Sequence, residues 1–126
     1  MDKQKTKVLL VDDEPNILVA LEFLVKQAGY QVFKASNGEE ALLAAQQQAP
    51  HIIILDVMMP GMDGFEVARK VRSLPELENA RIIFLTAKGT PEDKSNGYAN
   101  GGEVYLTKPF DNNELINTIN EVVEFG

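Results

Sequence analysis

Polar residues that could carry out chemistry follow four short apolar runs of the chain. They are Asp12-Asp13-Glu14 after the first run, then Asp56, Thr86 and finally Thr107-Lys108-Pro109. In an open sheet of parallel strands the carboxyl ends of the strands meet at one edge, which is where ligands bind. These side chains, distant in the sequence, are therefore predicted to lie close together.

Carboxylates that gather at one edge repel one another, so they must raise their pKa values or bind a cation. The chain has no cysteine and one histidine, so oxygen atoms are the ligands on offer. A small number of oxygen ligands favours Mg²⁺ over Ca²⁺. Alternatively, Asp12 or Asp13 only caps a helix, whose N-terminus attracts an anion. Capping accounts for one acid, but not for Asp56 and Lys108 at the same edge.

This set of side chains suits the transfer of a phosphoryl group to a carboxylate, a reaction that needs mainly positioning and countercharge. Asp56 is the predicted nucleophile because it follows the middle strand, with acids and Lys108 on either side. Asp12 and Asp13 are predicted to hold the metal. Lys108 would meet one phosphoryl oxygen and the Thr86 hydroxyl another. Taken singly, Lys108 could be a solvated surface lysine and Thr86 an ordinary strand residue.

The elements that must position these residues are five short apolar segments alternating with segments of helical period. This pattern predicts an α/β fold in three layers, a doubly wound parallel sheet with helices on both faces. The predicted strands are residues 7–12, 31–35, 52–56, 82–86 and 104–107.

Helix boundaries are indicated by caps and breakers. The first helix is predicted to begin at Pro15 and to stop at Gly29. Ser36 and Glu39 indicate a capping box for the second helix, which runs until Pro50. The third and fifth helices are predicted to start at the caps Asp63 and Asp111, each followed by Glu three residues later.

The fourth helix has the weakest sequence signal. It begins well at Thr90-Pro91, but Ser95-Asn96-Gly97 follow in its interior, and only Tyr98 and Ala99 offer apolar area. A glycine inside a helix costs about 1 kcal/mol relative to alanine. We therefore predict that this helix opens at a lower free energy than the first or the fifth.

Length and charge narrow the class of protein. The 126 residues are predicted to form one domain, residues 1–126. A formal net charge of −7 disfavours direct binding to nucleic acid. No apolar run reaches the roughly 20 residues of a membrane span, and the start Met1-Asp2-Lys3-Gln4-Lys5 does not resemble a signal peptide. A cytoplasmic location is therefore expected.

The combination and order of these motifs resemble the receiver domain of bacterial two-component response regulators, the CheY-like superfamily, over essentially the whole chain. The matching segments are VLLVDDEP at residues 8–15, ILDVMMPGMDG at 54–64, LTA at 85–87 and YLTKPF at 105–110.

The resemblance implies a flavodoxin-like sheet of strand order 2-1-3-4-5. It further implies that Asp56 accepts a phosphoryl group from a phosphohistidine of a sensor kinase or phosphotransfer protein. Mg²⁺ would be held by Asp13, Asp56 and the backbone carbonyl of Met58, with Asp12 acting through water. The chain would then be a signalling domain rather than an enzyme, capable only of its own phosphorylation and slow dephosphorylation.

A conformational switch is also implied by the resemblance. A phosphoryl group adds nearly two negative charges and needs donors. Thr86 would move toward it, and Tyr105 would turn inward into the vacated space. The switch region includes Pro109, whose bond to Lys108 is expected to be cis. The face formed by the fourth helix, fifth strand and fifth helix would then bind a downstream effector.

Two departures from the family pattern affect these expectations. Many receivers read Gly-Ala-Asp-Asp where this chain has Gly101-Gly102-Glu103-Val104, and Thr118 replaces a frequent arginine. A dimer formed on phosphorylation is therefore an open expectation.

Met58 and Lys88 lie two residues after Asp56 and Thr86, at the positions that set the rate of self-dephosphorylation in the family. Because the apolar Met58 cannot orient an attacking water well, slow loss of the phosphoryl group is predicted.

Rival functions remain at this stage. A Mg²⁺-dependent phosphatase or phosphotransferase could use an aspartyl-phosphate, but such enzymes place a second acid two residues after the nucleophile, where this chain has Met58. Nucleotide and flavin binders need a loop that welcomes phosphate after the first strand, and Asp12-Asp13-Glu14 would repel it. A receiver that serves only as a scaffold is disfavoured because all residues for phosphorylation are present.

His51 is interpreted as a loop residue rather than a phosphodonor or ligand.

Overall fold

The computed structural model describes residues 3–125; Met1, Asp2 and Gly126, the ends of the predicted domain, lie outside the described residues. Five parallel strands form one sheet of order β2-β1-β3-β4-β5, as predicted. The strands are β1 (Lys7–Val11), β2 (Gln31–Ala35), β3 (Ile52–Leu55), β4 (Arg81–Thr86) and β5 (Val104–Thr107).

Five α-helices connect the strands and follow the last of them. They are α1 (Pro15–Gln27), α2 (Gly38–Gln48), α3 (Gly64–Arg72), α4 (Pro91–Ala99) and α5 (Asn112–Phe125). Two short 3-10 helices span Lys3–Lys5 and Pro75–Leu77. No helix within residues 3–125 combines the length and the apolar character needed to cross a membrane.

Two apolar layers lie on opposite faces of the sheet because successive strand residues point to opposite sides. Leu9 and Val11 of β1 belong to the layer with α2 and α3, whereas Val8 and Leu10 belong to the layer with α1 and α5. All four are 1% exposed or less. Full burial of such a side chain contributes about 1.5–3 kcal/mol. The predicted three-layer α/β architecture is confirmed.

The helix caps are those predicted, except at α2. The side chains of Asp63 and Asp111 accept from backbone N–H groups at the starts of α3 and α5. At α2 the cap is Asn37, whose side chain accepts from the Glu40 N–H, while Glu40 accepts from the Ser36 N–H. The predicted capping box is thus displaced by one residue, because Asn37, and not Ser36, is the last extended residue before the helix.

Candidate functional site

Asp12 and Asp56 lie one residue beyond the ends of β1 and β3, so the strands predicted to include them are one residue shorter. Both residues are still joined to the sheet. The Asp12 N–H donates to the Ala35 carbonyl at 3.2 Å, and the Asp56 N–H donates to the Val11 carbonyl at 3.0 Å. The sheet thereby fixes the backbone of two acids, and both carboxylates are buried at its carboxyl edge.

The carboxylates of Asp12, Asp13 and Asp56 form a cluster, with one oxygen of each within 4.8 Å of the others. Asp12 and Asp56 are 1% and 3% exposed, whereas Asp13 is open to solvent. The Lys108 ammonium lies 2.7 Å from Asp12 and 3.1 Å from Asp56, and Glu14 is 3.7 Å away. The predicted neighbours are therefore brought together, with more carboxylates than cations.

Burial and the neighbouring charges shift the pKa values of Asp12 and Lys108. Burial raises the pKa of Asp12, and the nearby charge of Asp56 adds to the rise, while Lys108 opposes it. Burial also acts to lower the pKa of Lys108, but its hydrogen bond to Asp12 and the charge of Asp56 outweigh this, so that pKa is raised. Lys108 therefore stays an ammonium, and the site keeps a need for further positive charge.

The donor set fits a small divalent cation. It offers carboxylate oxygens from three acids, one of which faces solvent and leaves a path of entry. Met58, in the loop after β3, donates its N–H to the Asp56 carboxylate at 3.0 Å, so its backbone, whose carbonyl is the remaining predicted ligand, is joined to the cluster. Oxygen ligands in this number are typical of Mg²⁺, which retains several waters.

The alternative role for these acids, capping of α1, is not what the structure shows. The cap position of α1 is Glu14, and no side chain accepts a hydrogen bond there in the cap geometry. Asp12 does accept from the Glu14 N–H at 2.9 Å, so it orders the turn that leads into the helix. Asp13 is left to face the cluster.

Thr86 and Tyr105 lie on the paired strands β4 and β5, and both hydrogen-bond to the backbone of Lys88. Thr86, at the end of β4, is fully buried, and its hydroxyl accepts from the Lys88 N–H at 3.3 Å. Tyr105 is 6% exposed, and its hydroxyl donates to the Lys88 carbonyl at 2.6 Å. The ring of Tyr105 is thus already turned inward, although an inward turn was predicted only as a response to phosphorylation. Its centroid lies 5.6 Å from that of Phe84.

Several other expectations concern residues around the site. The peptide bond between Lys108 and Pro109 is cis, as predicted. His51 lies in the turn before β3, where its Nδ1 accepts from the Lys7 N–H at 3.0 Å, in agreement with a loop role. Tyr98 does not supply the apolar area predicted for α4, because it is 52% exposed.

Three glycines matter in ways that residue types did not predict. A Cβ on Gly64 would lie 2.3 Å from the Asp56 carbonyl oxygen, so only glycine lets α3 start against the loop after β3. A Cβ on Gly97 would lie 2.6 Å from the Tyr105 ring, and one on Gly102 would lie 2.5 Å from Phe84. The sequence predicts that Gly97 weakens α4, but Gly97 is the buried residue through which this helix packs against Tyr105.

The chain is thus a doubly wound α/β domain with an acidic cluster and a lysine at the carboxyl edge of its sheet. The sequence model for the response regulator receiver domain matches residues 8–120, and the chain belongs to this family. Members of the family act in two-component signalling with kinases and effector domains, rather than as conventional enzymes.

Individual relatives agree with this assignment. The chain is 36% identical over 117 residues to Protein PilH of Pseudomonas aeruginosa, covering 93% of this chain and 97% of that protein. It is 42% identical over 123 residues to the "Probable transcriptional regulator ycf27" of Pyropia yezoensis, covering 98% of this chain but only 49% of that protein. The structure of the Vibrio cholerae chemotaxis protein CheY4 superposes with a TM-score of 0.89 at 39% identity, covering 93% of this chain and 98% of that one.

Proposed function

We propose that residues 1–126 act as one phosphoacceptor domain, in which Asp56 takes a phosphoryl group from a phosphohistidine of a sensor kinase or phosphotransfer protein. The observation that carries the proposal is the environment of the Asp56 carboxylate. It is 3% exposed, lies 3.1 Å from the Lys108 ammonium and shares a cluster with two further acids. A carboxylate in this position has a nearby countercharge for the group it would accept.

Each neighbour has a distinct role in this proposal. Asp13, Asp56 and the Met58 carbonyl would hold Mg²⁺, with Asp12 acting through water. The ion, when bound, supplies positive charge next to the phosphoryl oxygens. Lys108 binds another phosphoryl oxygen, and it is oriented for this by its hydrogen bond to Asp12. The Met58 N–H binds one oxygen of the Asp56 carboxylate and Lys108 contacts the other. This second oxygen would attack phosphorus as the P–N bond to the donor imidazole breaks, and the imidazole would be the leaving group.

The signal would pass through Thr86 and Tyr105 to the face formed by α4, β5 and α5. The Thr86 hydroxyl oxygen accepts from the Lys88 N–H, and its own O–H can donate to a phosphoryl oxygen. The same Lys88 residue accepts from Tyr105, so movement of the loop that carries Lys88 acts on both side chains. That face would bind an effector domain or protein, with a dimer as one outcome, and the domain would work in the cytoplasm.

The test is incubation with Mg²⁺ and a small phosphodonor such as acetyl phosphate, followed by intact mass measurement. Wild type should gain one phosphoryl group, and Asp56→Asn should gain none. Asp63→Asn is the matched control, because it changes an exposed aspartate in the same loop region, and it should be labelled like wild type. Label on Asp56→Asn at the wild-type level would contradict the proposal. Turnover of added phosphomonoesters would favour a phosphatase instead.

A further inference from the structure

Arg72, the last residue of α3, makes an unusual set of contacts at the end of this helix that lies away from the carboxylate cluster. Its guanidinium donates four hydrogen bonds. Two reach the Gly101 carbonyl at 2.8 and 3.2 Å, one reaches the Ala80 carbonyl at 2.6 Å, and one reaches the Glu103 carboxylate at 2.9 Å. The planar, rigid fork of arginine suits such convergent acceptors, and lysine cannot reproduce it.

These acceptors belong to separate parts of the chain. Ala80 immediately precedes β4, whereas Gly101 and Glu103 form the turn between α4 and β5. We define the α4–β5 turn as residues 100–103. Arg72 therefore connects α3 with this turn, and only 25% of its side chain is exposed. Hydrogen bonds from a charged donor in a partly buried position are stronger than those between neutral groups.

The sequence of the turn is shaped to receive this side chain. Gly101 has a φ of +95°, and a Cβ there would lie 2.6 Å from the Arg72 Nε. Any side chain at residue 101 would therefore be strained and would displace the guanidinium. Glu103, which stands where many receivers have aspartate, provides the carboxylate partner of Arg72.

α4 has few other anchors. Gly97 is the residue of α4 that is buried, in its contact with Tyr105 and Phe84. The opposite end of α3 is fixed on the loop after β3, because the Gly64 N–H donates to the Val57 carbonyl at 3.0 Å. α3 thus contacts the residue after Asp56 at one end and the α4–β5 turn at the other.

We propose that Arg72 is a positioning residue, which holds the α4–β5 turn against α3 and so sets the resting position of α4. The effector-binding role of α4 rests on the proposed function, whereas the positioning of the α4–β5 turn by Arg72 does not depend on it. Loss of the four hydrogen bonds frees the turn and the end of α4, while the carboxylate cluster at the other end of α3 keeps its geometry.

The test is amide hydrogen exchange of the full chain, read peptide by peptide, in wild type and Arg72→Ala. Exchange across residues 97–104 should rise at least about tenfold in the variant, with α1 and the centre of α5 changed much less. Arg72→Lys should remain loosened, because an ammonium keeps the charge but not the fork. Arg69→Ala is the matched control: it removes the same charge from α3 and only one contact, 3.3 Å to Asn100, so it should exchange nearly as wild type.

A second measurement separates positioning from general stability. Acetyl phosphate should label Asp56 in Arg72→Ala at the wild-type rate, and phosphorylation should alter exchange in α4 less than it does in wild type. Equal exchange in Arg72→Ala and wild type would overturn the proposal, as would equal loosening by Arg69→Ala or a uniform rise across the chain. Glu103→Gln tests the same contact if Arg72→Ala does not fold, and it should loosen the turn by a smaller factor. If Asp56 takes no label in any variant, the proposed function fails. The hydrogen-exchange result still decides whether Arg72 holds the α4–β5 turn.

Discussion

The acidic cluster shows how single residues set the chemistry of the site. Asp12 and Asp56 are placed by backbone hydrogen bonds at the ends of β1 and β3, and Lys108 is held between them. Their shared role in one site could be predicted from the sequence, because four acids close to one sheet edge have few structural uses. Their distances could not, because they depend on where each strand ends.

A divalent ion should stabilise the folded state through Asp13. A ligand that binds only the native protein adds about 2.7 kcal/mol at one hundred times its dissociation constant. We expect the free energy of unfolding of wild type to rise with Mg²⁺ and that of Asp13→Asn to rise little. In the absence of the ion, Asp13→Asn should be the more stable chain, because one repelling charge is removed. Urea unfolding with and without Mg²⁺ measures both effects.

The control for this experiment is Glu121→Gln, an exposed acid of α5 that is not part of the carboxylate cluster. It removes the same charge as Asp13→Asn does, so it corrects for the effect of net charge. A Mg²⁺ response in Asp13→Asn as large as that of wild type and Glu121→Gln would show that Asp13 is not a ligand.

Met58 should set the lifetime of the phosphoryl group. Its side chain is 54% exposed beside Asp56, and its thioether is a poor partner for an attacking water. Met58→Asn should speed phosphoryl loss by about tenfold, less than the roughly 10²–10⁴-fold of a general acid or base, because an amide only orients the water. Met58→Leu keeps an apolar side chain and should decay like wild type. The fraction of phosphorylated protein over time, measured by intact mass, decides; equal decay of the Asn and Leu variants would refute the prediction.

At the scale of elements, α4 differs from the helices that enclose the core. α1 buries Leu18, Leu21 and Val25, and α5 buries Leu115 and Ile119, whereas the residue buried in α4 is Gly97. Since each buried leucine contributes about 1.5–3 kcal/mol, α4 should open at a lower free energy. Amides of α4 are expected to exchange at least about tenfold faster than those of α1 and α5. Equal protection in α4 and α1 would contradict this.

Gly97 tests whether propensity or packing dominates in α4. By helix propensity, Gly97→Ala should stabilise the protein by about 1 kcal/mol. We expect instead a loss of about 1–3 kcal/mol, because the new Cβ would lie 2.6 Å from the Tyr105 ring and must displace it. Ser95→Ala, at an exposed position of the same helix, should be neutral or slightly stabilising. Urea unfolding compares the two, and a gain of stability in Gly97→Ala would show that the ring moves freely.

At the scale of the whole molecule, the inward Tyr105 links stability to high pH. Burial, with the charges of Asp93 and Asp56, raises the pKa of Tyr105 to about 12 from its ordinary value of 10.0. The folded state therefore resists deprotonation more than the unfolded chain does. The neutral Tyr105 hydroxyl therefore contributes stability that is present below pH 10 and is lost as the pH rises toward about 12.

The free energy of unfolding, measured with urea across this range, should fall less steeply in Tyr105→Phe than in wild type. Burial also raises the pKa of Tyr30, which is retained in both chains and so cancels in the comparison. Tyr98→Phe is the control, because Tyr98 is half exposed on α4. The same slope in wild type and Tyr105→Phe would indicate that the Tyr105 hydroxyl is not buried in solution.

The sequence by itself determined the class of fold, the order of its elements and the residue types of the site. Continuous apolar runs such as Ile52–Leu55, when they alternate with segments of helical period, indicate buried parallel strands, and acids directly after such strands meet at one edge. These signals are local, and they depend on burial and period, which residue types record directly.

Only the tertiary structure decided the contacts between segments that are distant in the chain. It placed the α2 cap at Asn37 and turned Tyr105 inward. It also showed which neighbouring side chains leave no room for a Cβ at Gly97, Gly101 and Gly102. It also joined Arg72 to a turn 29 residues away. Such contacts follow from the shapes of packed surfaces, because a single Cβ or guanidinium fits or fails according to neighbours that no local pattern specifies.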